Sequence, residues 1–257
     1  MKALFLATAA VAAFAAAPAF AQDAVGSVGI GYNNVKYDAF GSDYTAENGK
    51  LDVTAAIPVA GPFTLTLDGG FAYANNGVVG ADNSNIDGTI HGTAMINDTV
   101  RVGGFVGGSE VGDDTLWAFG AETQAYINNL TLTGSVAYEN ANHTDIDAWS
   151  VGGDVAYFVT PGLRVNGGLG WSTIDAGGSD IDAWSVNVGG EYQIKNSPIS
   201  ITANYGYGEL EDVDLSINTL TVGLRFSFGG GDLQTRSRSG ADLGRTVASV
   251  GTIAGIF

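Results

Sequence analysis

The chain has no cysteine, and after its first twenty residues it has no long apolar run. The first absence rules out a disulfide framework. The second rules out a membrane-spanning helix, which needs roughly 20 predominantly apolar residues. Bases are scarce: Lys and Arg number 10 against 27 Asp and Glu, a net charge of −17. A surface so acidic repels phosphate backbones, so nucleic acid is excluded as a partner. Only two histidines are present, which leaves little material for acid–base catalysis or transition-metal binding. The 39 glycines and the high net charge, alone, would suit disorder, but 12 Phe, 10 Tyr and four Trp argue against it.

The N-terminus reads as an export signal. Lys2 is the charged head, residues 3–17 are apolar, and Ala19-Phe20-Ala21 fits the small-x-small cleavage rule, so residues 1–21 are expected to be removed. The apolar stretch, at about fifteen residues, is short for an anchor.

What fills the chain from Val25 to Phe228 is alternation. The last such stretch is Leu220-Thr-Val222-Gly-Leu224-Arg-Phe226-Ser-Phe228, apolar at every second position. A period of two is a strand with one oily and one wet face. Twelve such runs are expected near 25–34, 49–57, 63–74, 86–96, 100–108, 116–127, 130–139, 147–159, 163–172, 182–194, 199–208 and 217–228. Their connections alternate. One set is tight and rich in Asn, Pro and Gly; the other (35–48, 75–85, 109–115, 140–146, 173–181, 209–216) is longer and acidic. The segment Asp145-Ile-Asp-Ala-Trp-Ser-Val151 recurs as 180–186, an offset of 35 residues that matches one hairpin. Repeated architecture explains this more simply than a duplicated ligand site. All-β structure, as a transmembrane antiparallel up-and-down barrel of about 12 strands over 22–228, follows from these features.

Parity assigns the faces. Trp117, Trp149, Trp171 and Trp184 fall on the oily face near the longer loops; Tyr157, Tyr192, Phe226 and Phe228 fall on it near the opposite end. Two aromatic bands bounding an apolar belt are what two membrane interfaces demand. The wet face holds Asp52, Asp68, His91, Arg101, Glu122, Asp154, Arg164, Glu191 and Arg225, candidates to line a lumen. Opposed charges across a lumen sort solutes. The competing reading is a network of ion pairs filling a closed barrel.

The strand pattern, the aromatic bands and the ending Gly223-Leu-Arg-Phe-Ser-Phe228 resemble the bacterial outer-membrane β-barrel porins, in particular the small porin-like barrels. The resemblance covers about 22–228. It implies a passive diffusion channel of the cell outer membrane in Gram-negative bacteria, in contact with membrane lipid and lipopolysaccharide and inserted by the outer-membrane assembly machinery. Acidic lumen residues imply mild cation preference. The alternatives are a structural or surface-interaction barrel without an open pore and, least favoured, a barrel hydrolase. No catalytic constellation, cofactor site or metal site is expected: His143 near Asp145 and Asp147 reads as a loop histidine. The acidic loops would suit divalent cations, although a solvated rim is the simpler reading. Two departures stand out. A tail, 229–257, follows the last strand, and no external loop is long enough to fold inward. The tail opens with Gly229-Gly-Gly231 and carries Arg236, Arg238 and Arg245. Its few large apolar residues favour a disordered periplasmic tail over a plug.

Overall fold

A computed structural model describes residues 24–74, 84–111, 114–141, 146–211 and 213–243. The segment expected to be an export signal, His143, Asp145 and the last part of the tail lie outside them. Twelve strands close into one antiparallel barrel in sequence order, with β1 (Val25–Ala39) pairing β12 (Leu215–Phe228). Between them run β2 (Ser42–Ala60), β3 (Phe63–Ala74), β4 (Ser84–Asn97), β5 (Val100–Val111), β6 (Asp114–Ile127) and β7 (Leu130–Ala141). Then come β8 (Ile146–Thr160), β9 (Leu163–Ala176), β10 (Asp180–Gln193) and β11 (Ile199–Leu210). Closure leaves no unpaired edge.

Even strand number puts both chain ends of the barrel at one end, here called the terminal end; the opposite end is the loop end. Strand irregularities cluster at the terminal end. The register shifts between Pro58 and Ala60, Met95 and Asn97, and Phe158 and Thr160, each beside a tight turn. Such bulges increase local twist and help a sheet to curl.

The loop end departs from expectation. Residues 35–48 are not a long loop. They are the top of a hairpin that continues to a two-residue turn at Phe40-Gly41, both at positive φ (53° and 73°). Two central residues at positive φ make the mirror-image turn that matches strand twist. The segments 109–115, 140–146, 173–181 and 209–216 shorten in the same way because the strands run on past the apolar belt. The reason is packing. Ala148, Ile174, Ala183 and Leu210 are buried on the inner face, with Ile146, Ile181, Val213 and Leu215 packed against them. These apolar residues inside acidic stretches hold the strand ends together. The repeat finds its role here: Ile146 and Ile181, two strands apart, both pack into this core, as do Ala148 and Ala183.

Strand β8 shows the faces cleanly. Ala148, Ser150, Gly152, Asp154, Ala156 and Phe158 are buried; Trp149, Val151, Val155, Tyr157 and Val159 are exposed. On the outer wall Ile30, Leu169, Val188 and Leu224 are all at least half exposed. Phe119, Tyr138 and Trp149 sit on three successive strands with ring centroids 5.4 and 5.3 Å apart, and Trp184 lies 5.2 Å from Tyr207. Trp117 and Trp171 are exposed on the same wall. Tyr157, Tyr192 and Phe226 stand exposed near the terminal end, where Phe228 is half-buried. From Trp149 to Tyr157 is roughly 26 Å along a strand at about 3.3 Å per residue. A strand tilt of roughly 40° shortens this to about 20 Å between the two rings, a little under the ~25 Å apolar band that aromatic girdles bound.

Candidate functional site in the barrel interior

After Phe228 the chain turns back on itself. Gly229, Gly230 and Gly231 all take positive φ (82°, 82° and 90°), a run that L side chains resist. Asp232 then caps a short helix, α1 (Leu233–Arg236), by accepting from the Thr235 amide at 2.8 Å. A π-helical turn over Ser237–Ala241 follows. This segment enters the terminal mouth. Leu233 packs with Ala156 and Phe158 in an apolar contact, and all three are almost fully buried. Thr66 donates to the Gly240 carbonyl at 3.1 Å, and Thr131 and Ser237 hydroxyls meet at 3.1 Å. The expectation of a disordered tail is therefore wrong for 232–243: polar contacts with the lumen wall supply what large apolar residues do not.

Two of the tail's contacts are ion pairs, and they join a larger ionic network of the barrel. Glu191 on β10 is buried and receives Arg164 of β9 at 2.9 Å, Arg225 of β12 at 3.2 Å and Arg236 of the tail at 2.8 Å through both oxygens. Ser200 donates to it as well, at 2.5 Å. Arg164 also donates to Asp242 of the tail at 2.9 Å, and Arg225 donates to Asp52 at 2.9 Å. Arg101 donates to Tyr126 at 3.0 Å, to Thr93 at 2.9 Å and to the Arg238 carbonyl at 3.1 Å. An added Cβ on Gly240 would lie 3.2 Å from that guanidinium, so the bare backbone allows Arg101 to lie against it.

A second cluster sits further in. His91 is fully buried, with Nδ1 2.9 Å from Glu122 and Nε2 3.2 Å from Asp68. Thr54 donates a very short hydrogen bond to Asp68. The Phe105 ring stands 5.7 Å from the imidazole. Among the described residues no group of His, Asp and Glu is arranged to hold a metal ion.

Each interior position read from parity is thus placed inward. The structure joins Glu191, Arg164, Arg225 and Asp52 in one network and Asp68, His91 and Glu122 in another; Asp154 is buried on β8 and Arg101 belongs to the tail contact. Parity reading missed Lys50 and Asp87, which share the inward phase of Asp52 and His91. It also missed Tyr126 and Phe158, large aromatics on the wet face near the terminal turns. Such residues in wet phase signal a packed mouth. Asp242, a tail acid, carries no local signal of its role, since its partner Arg164 lies 78 residues away in the chain.

The interior is lopsided. Along β6 to β10 the inward side chains are mostly buried: Gln124, Thr131, Glu139, Ser150, Ser172 and Ser185 among them. Along β12, β1, β2, β3 and β4 the inward side chains near the terminal end, Ser27, Thr66, His91 and Thr93, are buried, but those of the middle stretch remain open to solvent. Asn33, Lys50, Asp52, Asp68, Thr221 and Arg225 are half-buried, and Asp87 is exposed. Gly31, Gly70 and Gly223 face inward on the same wall.

No protein-family model matches the sequence, and no curated protein is similar enough to count as a relative. Solved structures do resemble it. The COG4313 outer-membrane channel from Pseudomonas putida F1 superposes with a TM-score of 0.58 at 12% identity, covering 79% of this chain and 96% of that one. The translocator domain of the autotransporter NalP from Neisseria meningitidis gives 0.53 at 12% identity, covering 88% and 97%. The KdgM porin gives 0.49 at 11% identity, covering 78% and 99%. The chain carries the closed antiparallel barrel fold of outer-membrane β-barrel proteins.

Proposed function

We propose that this chain is a narrow channel of the outer membrane, passing small hydrophilic solutes or ions with a mild preference for cations. The terminal end faces the periplasm, and segment 232–243 rests in that mouth as a partial plug. The observation that carries the reading is the solvent-open middle stretch of the wall formed by β12 and β1 to β4. Its acids, Asp52, Asp68 and Asp87, outnumber its bases, Lys50 and Arg225. The exposed apolar belt bounded by two aromatic bands supports a lipid surround, and likeness to a channel fold supports transport over catalysis. Membrane lipid and lipopolysaccharide are then its surroundings.

The test is a reversal potential in planar bilayers under a salt gradient. Cations should permeate faster than anions, most clearly near about 0.1 M salt, where charges act over roughly 10 Å. Asp87→Asn should shrink the preference. A reversal potential that favours chloride would contradict the selectivity, and absence of any current would favour a closed structural barrel.

The lipid surround has its own test. Val188 is 59% exposed on the outer wall, between Gly167 and Tyr205 of the neighbouring strands. Val188→Arg should destabilise the barrel in lipid vesicles by about 2–4 kcal/mol if it sits at midplane, measured by denaturant unfolding. A change near zero would place this face in water.

A further inference from the structure

The tail presents two opposite charges to one strand pair. Arg236 donates from a single nitrogen, Nη2, to both oxygens of Glu191 at 2.8 Å, and Asp242 accepts from Arg164 at 2.9 Å. Arg164 and Glu191 are direct cross-strand neighbours on β9 and β10, joined at 2.9 Å. That pair belongs to the barrel and exists without the tail. So does Arg225, which bridges Glu191 and Asp52.

We propose that the Arg164–Glu191 pair is a binding site for small dipolar ions that carry a carboxylate and a guanidinium or ammonium, and that the tail is its built-in occupant. Asp242 stands where a solute carboxylate docks on Arg164. Arg236 stands where a solute cation docks on Glu191. Charge-assisted hydrogen bonds of this kind are shorter and stronger than neutral ones, and here the two nitrogens of Arg164 are divided between the two carboxylates. The approach is open on one side: the Arg225 and Asp52 side chains retain 22% and 27% exposure and border the solvent-open wall. A solute in the passage therefore reaches the edge of the pair without first unfolding anything. Solute and tail compete for the same two groups, so a matching solute loosens the plug. This deepens the channel reading and rests on it, but it concerns tail release rather than current.

The absence of native cysteine makes release measurable. Ser237 lies in the tail and is fully buried against Thr131. In the full-length Ser237→Cys protein, the rate of labelling by a water-soluble maleimide reports how often the tail leaves. L-Arginine is the probe. Labelling should be slow without it and should rise saturably with it, roughly tenfold at about ten times its dissociation constant. A mixture of acetate and guanidinium at matched ionic strength should do much less. Arg164→Gln should abolish the difference between arginine and that mixture. The half-buried Ser239→Cys provides a second label should Ser237→Cys perturb docking. Arginine acting no better than the ion mixture would overturn the site while leaving conductance, and so the channel reading, untouched. Fast labelling with no solute present would overturn the tail's role as occupant.

Discussion

Replacing Glu191 with alanine should cost the barrel about 3–5 kcal/mol, the range found when one partner is removed from a buried ion pair. Three guanidiniums converge on that carboxylate, and its side chain has no solvent exposure. Without it Arg164 keeps Asp242 and Arg225 keeps Asp52, but Arg236 loses its bidentate acid. Denaturant unfolding in vesicles measures the loss. The same change in a chain lacking the tail should cost less, since Arg236 is then absent and one uncompensated charge with it; contacts that share a partner are not additive. Equal losses in the two backgrounds would show that Arg236 is not coupled to Glu191.

Removing residues 230–257 should leave assembly intact and raise single-channel conductance severalfold. All twelve strands are complete at Phe228, so the barrel retains every ladder. What goes is the occupant of the mouth: Leu233 from its seat on Phe158, the Arg238 carbonyl from Arg101, and Asp242 from Arg164. Planar-bilayer recording of both forms checks this. Unchanged conductance and noise would make the tail a bystander. Failed assembly would assign it to the assembly signal instead.

Much of the barrel was legible in the sequence because period-two patterning is a local signal. Along β8 each residue's face follows from its neighbours, and the structure alternates buried and exposed from Ala148 to Val159. The loop end was less legible. Ile146, Ile174, Ile181 and Leu215 sit among acids that read as solvated loop. Their partners come from different strands, and only the pairing and curl of β8 to β12 bring them together. The ion networks were legible as candidates but not as pairs. Parity puts Arg164 and Glu191 inside; register puts them opposite each other. The order of the tail is illegible in the sequence for a related reason. Its ordering entropy was weighed against apolar side chains alone, of which Leu233 and Leu243 are the buried ones. The offsetting contacts are polar and lie more than seventy residues away in the chain for Arg164–Asp242, a separation invisible to local pattern.

The most direct test fixes the tail in place and then frees it. Thr131 and Ser237 place their hydroxyls 3.1 Å apart across the barrel–tail contact. Cysteines at both positions would be the only thiols in the chain and lie close enough for a disulfide. Single-channel current is recorded from the Thr131→Cys/Ser237→Cys protein after oxidation and again after reduction. A channel with its own tail in the mouth should show low, quiet current when oxidised and larger, fluctuating current when reduced. Failure of the bond to form, or a current indifferent to it, would contradict a plug seated in this mouth.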